Sequence, residues 1–235
     1  MTIRVFASGQ SNMLGAGSGG APMSSVSGDV RVWNSVAPLG AAGSAWVQAA
    51  QAQAAGTFQF TDKNNIAVSF CDKLARSQFE SVDLVFAARN GSSIALWSKA
   101  ELVTPMLTRC IDVYRASGQQ PADVFLWHQG ESDCLSGMPP TDWIAAFDAL
   151  VENLVEAKVL RPDPIVLAGG VAHSQASFVR FNASAIQAAM RRKGRVYVGS
   201  AGLEESDGMH FTGEALVEFG ARRYYAAYKL AAAGL

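Results

Sequence analysis

Short apolar runs recur along this chain, each closing on a polar turn and followed by a stretch with helical spacing, and that alternation restricts the fold more than any other feature. Ile3 to Ala7, Val82 to Ala88, Asp123 to Trp127, Ile165 to Ala168 and Arg195 to Val198 read as strands. Between them, Ile66, Ala67, Phe70, Leu74 and Ala75 recur at helical spacing. Leu102 to Ala116 reads as helix if Pro105 lies in its first turn, where a missing N–H costs nothing. Thr141 to Ala157 and Phe178 to Met190 follow as helices, and a last one carries Leu216, Val217, Gly220, Tyr224 and Tyr228 on one face. Strands and helices in alternation build βαβ units, so the expectation is an α/β fold with a central parallel sheet covered on both sides. A length of 235 residues fits one such domain, taken here as residues 1–235.

Composition narrows the function classes. A net charge of -1 offers no basic surface to a polyanion, so nucleic acid is not an expected partner. No apolar run reaches the length of a membrane span, and no basic-then-apolar leader opens the chain, so a soluble protein without membrane partners is expected; a removed leader or a larger parent chain stays open. Cys71, Cys110 and Cys134 are far apart and read as inert thiols. His128, His173 and His210 lack the spacing of a metal site, so no metal is expected.

The chemistry is expected at the strand ends, because ligands of open α/β sheets bind beyond the carboxyl ends of the strands. The first strand runs directly into Gly9-Gln10-Ser11-Asn12, which sites Ser11 as a nucleophile. A serine hydroxyl needs a base, itself oriented by a third group. Asp207 and His210, three residues apart ahead of the last helix, offer that pair: on a tight turn the carboxylate reaches one ring nitrogen and leaves the other facing outward. Two further strand ends carry polar, glycine-containing turns, Asn90-Gly91-Ser92 and His128-Gln129-Gly130-Glu131. The N–H of Ser11, the N–H of Gly91 and the side-chain amide of Gln129 are candidate donors to a developing oxyanion.

Four blocks, GQSNM, NGSSIALW, WHQGESD and DGMHFTGEA, stand in this order over nearly the whole chain. Together they resemble the SGNH hydrolases, relatives of the GDSL lipases, and more narrowly the carbohydrate-esterase branch of sialate O-acetylesterases and acetylxylan esterases, which carries Gln where GDSL lipases carry Asn. The resemblance implies a flavodoxin-like three-layer α/β/α sandwich without metal or organic cofactor. It makes Ser11 the nucleophile, His210 the base and Asp207 its orienting acid, with Ser11, Gly91 and Gln129 as the oxyanion hole. The implied activity is removal of O-acetyl groups from a carbohydrate through an acyl-enzyme, with an acetylated carbohydrate as partner. Arg89-Asn90 departs from the family at a place where a second glycine often precedes Gly91.

Several residues have plainer readings. Glu131 is expected to organise the turns around Ser11 rather than assist the histidine, and His128 and His173 to be structural. Arg89 at a sheet edge reads as solvated, with contact to an anionic sugar substituent as the functional alternative. Trp33 and Trp46, in the long small-residue stretch from Leu14 to Thr57, read as local core anchors before sugar platforms. Tyr224, Tyr225 and Tyr228 fit either a contact surface or a helix packed on its own sheet. A lipase or thioesterase for longer acyl chains, and a carbohydrate-recognition module without catalysis, remain alternative functions.

Overall fold

The computed structural model describes residues 1–15, 26, 28–34, 45–50, 64–98 and 104–234. The first strand, β1 (Thr2–Gly9), lies at the centre of the sheet. It alternates between two cores: Val5 and Ala7 face one, Phe6 the other, and none of the three is exposed. A strand covered on both faces has to be apolar at nearly every position, and that is why this one carries no amphipathic signal.

β2 (Val30–Asn34), β3 (Ala45–Gln48), β4 (Ser81–Ala88), β5 (Ala122–His128), β6 (Leu160–Gly169) and β7 (Arg195–Val198) complete the sheet in the order β3-β2-β4-β1-β5-β6-β7. Every neighbouring pair is parallel except β2 with β3. The expected α/β fold and parallel central sheet are therefore observed, with one correction. Val30–Asn34 and Ala45–Gln48, in the small-residue stretch where no strand is expected, pair antiparallel at the sheet edge, with Trp33 opposite Trp46 and ring centroids 5.6 Å apart. Trp46 also donates to the Ser117 carbonyl at 3.0 Å. Both tryptophans pack on the core as local anchors; most of the rest of the stretch from Leu14 to Thr57 lies outside the described residues.

From β1 the chain moves to one side of the sheet, and from β5 to the other. β1 and β5 thus flank the point where the strand order reverses, the place where open sheets leave a crevice between diverging loops. The helices behave as their patterns require. After α1 (Ser11–Leu14), α2 (Ile66–Ser77) is capped by Asn65, whose side chain accepts from the N–H groups of Ala67 and Val68 and donates to Met13 O at 2.8 Å. In α3 (Pro105–Ala116) the proline sits in the first turn behind the Thr104 cap, as expected; 102 and 103 lie outside the described residues. α4 (Glu131–Leu135) and α5 (Pro140–Glu156) follow β5.

The next helical stretch runs from α6 (Ala176–Phe181) to α7 (Gln187–Ala189) through a π-helical turn, Asn182–Ile186. The last runs from α8 (Gly213–Glu218) through a second π turn, Phe219–Tyr224, to α9 (Tyr225–Ala232). A plain 3.6-residue reading misses such insertions. The second one brings Gly220 so close to α2 that a Cβ there would stand 2.2 Å from Ile66 O. Tyr224 is buried and donates to Trp127 O at 2.7 Å, and Tyr228 packs edge-on against Phe70. Two of the terminal tyrosines therefore serve the helix's own packing. No described helix is long and apolar enough to cross a membrane.

Candidate active site

Gly9 ends β1 with φ +145°, and a Cβ there would lie 2.1 Å from His128 O. Only glycine lets β1 and β5 close to this distance. Gln10 then donates its N–H to His128 O at 2.9 Å, and the chain turns at once into α1. Ser11 becomes the first helical residue, with an N–H that has no intrahelical acceptor.

Across the cleft, the segment after β7 folds back on itself: Glu205 bridges to Phe211, and Ser206 N–H donates to His210 O at 2.7 Å. Within this loop Asp207 Oδ1 accepts from Met209 N at 3.0 Å and His210 N at 2.7 Å, while Oδ2 lies 2.7 Å from His210 Nδ1. His210 Nε2 is 3.0 Å from Ser11 Oγ. The bonds from His210 hold the Asp207 carboxyl below the usual carboxylate range. An ionised carboxylate only accepts, so Nδ1 carries the proton and Nε2 presents its lone pair to the Ser11 hydroxyl. Three residues spread over 199 positions of sequence thus form one hydrogen-bonded chain.

The third strand end lies alongside. Arg89 N–H donates to Gly9 O at 2.9 Å, placing the turn that follows β4 beside the one that follows β1. Gly91 is exposed with φ +62°, and nothing lies within 4 Å of where a Cβ would be. Ser92 braces this turn: its hydroxyl donates to Arg89 O at 2.8 Å and accepts from Trp97 Nε1 at 2.9 Å.

Gln129 departs from its expected role. Its amide nitrogen donates to Ser92 O at 3.0 Å and to the Asp133 carboxylate, and its oxygen accepts from Trp143 Nε1 at 3.0 Å. Both amide hydrogens have protein acceptors and the residue has no exposure, so in this geometry it ties strand ends together instead of offering a donor to a substrate. The spacing in the sequence puts an amide at the right strand end; only the surrounding side chains decide where its hydrogens go.

Glu131 does not reach His210. It is fully buried, with Oε1 accepting from Asn12 Nδ2 at 2.7 Å and lying 3.0 Å from His128 Nε2. Burial pushes its carboxyl up, but the adjacent His128 and the Asn12 amide outweigh that and hold it below the usual range. His173 also stands apart: its Nδ1 lies 2.9 Å from Ser200 Oγ, and its N–H donates to Glu205 at 2.5 Å. Arg89 is exposed and forms no ion pair among the described residues. Sequence reasoning missed Asn12, which donates to Met209 O at 3.0 Å and accepts from Phe211 N at 3.0 Å. It also missed Asp133, which accepts from Ile94 N at 2.9 Å. Both stand inside the quoted blocks, but a block does not say which way a side chain points. Among the described residues no three His, Cys, Asp or Glu side chains gather to hold a metal ion.

A family model described as carbohydrate esterase, sialic acid-specific acetylesterase, matches residues 3–229. The chain belongs to this family. As a sialic acid-specific acetylesterase family member it is a carboxylic ester hydrolase of the carbohydrate acetylesterase class. A search of curated proteins gave no match. Among solved structures, a protein from Arabidopsis thaliana is similar at 21% identity and TM-score 0.73, over 96% of this chain and 97% of that one. A carbohydrate acetylesterase from Xanthomonas citri is similar at 17% identity and TM-score 0.73, over 99% of this chain and 57% of that one. A family 3 carbohydrate esterase from Clostridium thermocellum is similar at 12% identity and TM-score 0.56, over the full length of both. At these identities the likeness is one of fold.

Proposed function

We propose that residues 1–235 form a single esterase domain that removes O-acetyl groups from a carbohydrate, with Ser11, His210 and Asp207 as its catalytic triad. The observation that carries this reading is the unbroken chain from Ser11 Oγ to His210 Nε2 at 3.0 Å and from His210 Nδ1 to Asp207 Oδ2 at 2.7 Å. In the proposed reaction the Ser11 oxygen attacks the ester carbonyl while His210 Nε2 takes its proton. The Asp207 carboxylate stabilises the imidazolium that forms. The carbonyl oxygen, now negative, is held by the N–H groups of Ser11 and Gly91. Gln129 supports the Gly91 turn from behind through Ser92 O. Collapse of the tetrahedral intermediate breaks the bond to the sugar oxygen, which leaves with the proton from His210. Water then repeats the sequence on the acetyl-enzyme and releases acetate.

The test is acetate release from a panel containing O-acetylated sialic acid, acetylated xylan and acetylated bacterial polysaccharide, with Ser11→Ala alongside. Release from at least one substrate, lost in the folded variant, is the expected result. Full activity in Ser11→Ala sinks the mechanism, and no release from any substrate or from short nitrophenyl esters sinks the function.

A further inference from the structure

The short helix α4 carries two buried carboxylates that serve different halves of the site. Glu131 holds Asn12, and Asn12 in turn grips the backbone on both sides of His210: its amide donates to Met209 O and its oxygen accepts from Phe211 N, each at 3.0 Å. Asp133 faces the other way. It accepts from Ile94 N and from Gln129, whose second amide hydrogen fixes Ser92 O, and Trp143 completes the set from above. Two bonds of this second group end on the segment from Arg89 to Ile94 that contains Gly91, at Ser92 O and Ile94 N, and the other two hold Gln129 in place. Neither carboxylate is hydrogen-bonded to Ser11, His210 or Asp207. Burial also holds the Asp133 carboxyl above the usual carboxylate range, so an acid at this position does not favour the fold by itself. What it supplies is direction: two acceptor oxygens on a short helix that fix Ile94 N and the Gln129 amide on either side of the Gly91 turn's support.

We propose that Glu131 and Asp133 are positioning residues for separate parts of the active site, Glu131 acting through Asn12 on His210, and Asp133 acting through Gln129 and Ile94 on Gly91. The proposal rests on the esterase reading above. It divides the support of the site into a proton-transfer arm through Glu131 and an oxyanion arm through Asp133, with both acids standing on α4.

Double-mutant cycles on a short nitrophenyl ester test it, with kcat and KM taken per folded molecule. Asn12→Ser and Glu131→Gln interrupt the first arm; Asp133→Asn and Trp143→Phe interrupt the second. Each is expected to lower kcat by roughly 3- to 100-fold with KM within about twofold, because small misplacements of catalytic groups affect the transition state more than binding. Within an arm the effects should fail to add, and across arms they should multiply. The downfield resonance of the His210 Nδ1 proton should move in Asn12→Ser and stay in Trp143→Phe and Asp133→Asn.

Cross-arm effects that fail to add, a resonance displaced equally by both arms, or unchanged kcat in Asn12→Ser and Trp143→Phe would each overturn the division. If the buried-acid variants do not fold, Asn12→Ser and Trp143→Phe carry the cycle alone, since neither removes a charge. Activity retained in Ser11→Ala would remove the esterase reading itself, which separates that failure from a failure of the two arms.

Discussion

Two histidine and carboxylate pairs have their members three residues apart, and only one of them reaches the Ser11 hydroxyl. His210 is bonded through Nδ1 to Asp207, on a loop where the acid is half exposed, and its Nε2 meets Ser11. His128 is bonded through Nε2 to Glu131, both without exposure, and its Nδ1 has no partner among the described residues. The rings of Phe211 and Phe219 close over His128, with centroids 5.9 and 5.6 Å away. Each pair is a histidine and a carboxylate three residues apart, yet the side chains of the second pair are closed off from solvent. An acid beside a histidine is therefore no sign of catalysis until the far nitrogen is accounted for.

The largest effects are expected from removing each histidine. His210→Ala is expected to lower kcat by about 10³-fold or more, since a triad works as a unit, with only a small drop in melting temperature near neutrality from loss of the partly exposed bond to Asp207. Asp207→Asn should lower kcat by roughly 10²- to 10⁴-fold through loss of the tautomer and of the imidazolium's partner. The stability of the unsubstituted protein relative to this variant should follow pH in a definite direction. The Asp207 carboxyl is held below its ordinary value, so its contribution is present above that value and lost as pH falls through the depressed one. Melting curves of the two proteins should differ near neutrality and converge in strong acid; a constant gap would contradict the pairing.

His128→Ala should invert the pattern. It leaves Glu131 buried without its histidine, a loss of about 3–5 kcal/mol in denaturant unfolding, while kcat per folded molecule stays within about tenfold. A stable but inactive His128→Ala protein would make the buried pair catalytic and end the contrast. The smallest effect is expected from Phe219→Leu, which thins the cover over His128 and its packing on Phe211 while leaving the Asp207 and His210 side chains untouched. About 1 kcal/mol of stability should be lost, with kcat unchanged.

Much of this is legible in the sequence. The strands around β1, β4 and β5 are apolar at nearly every position because both faces are covered, and that run of residues needs no partner to be recognised. The polar turns that close them had to lie along one edge, since parallel strands all point the same way. The edge hairpin was not legible: Val30–Asn34 and Ala45–Gln48 are short, and their strand character comes from pairing with β4 and with each other. The two π turns were hidden for a related reason, since the extra residue in each is absorbed by packing against another helix and leaves the apolar rhythm almost intact.

What the sequence determined by itself is the position of each candidate site residue along the chain: Ser11 after one strand, Gly91 and Gln129 after two others, and Asp207 with His210 on a loop, each set by local pattern. Tertiary structure alone decided orientation. The Gln129 amide turns to Ser92 and Asp133, Asn12 reaches across 197 residues to Met209, and of three histidines only His210 presents a nitrogen to Ser11. Position along a strand follows from short-range periodicity, whereas the direction of a polar side chain follows from which distant donor or acceptor the fold brings within 3 Å or so.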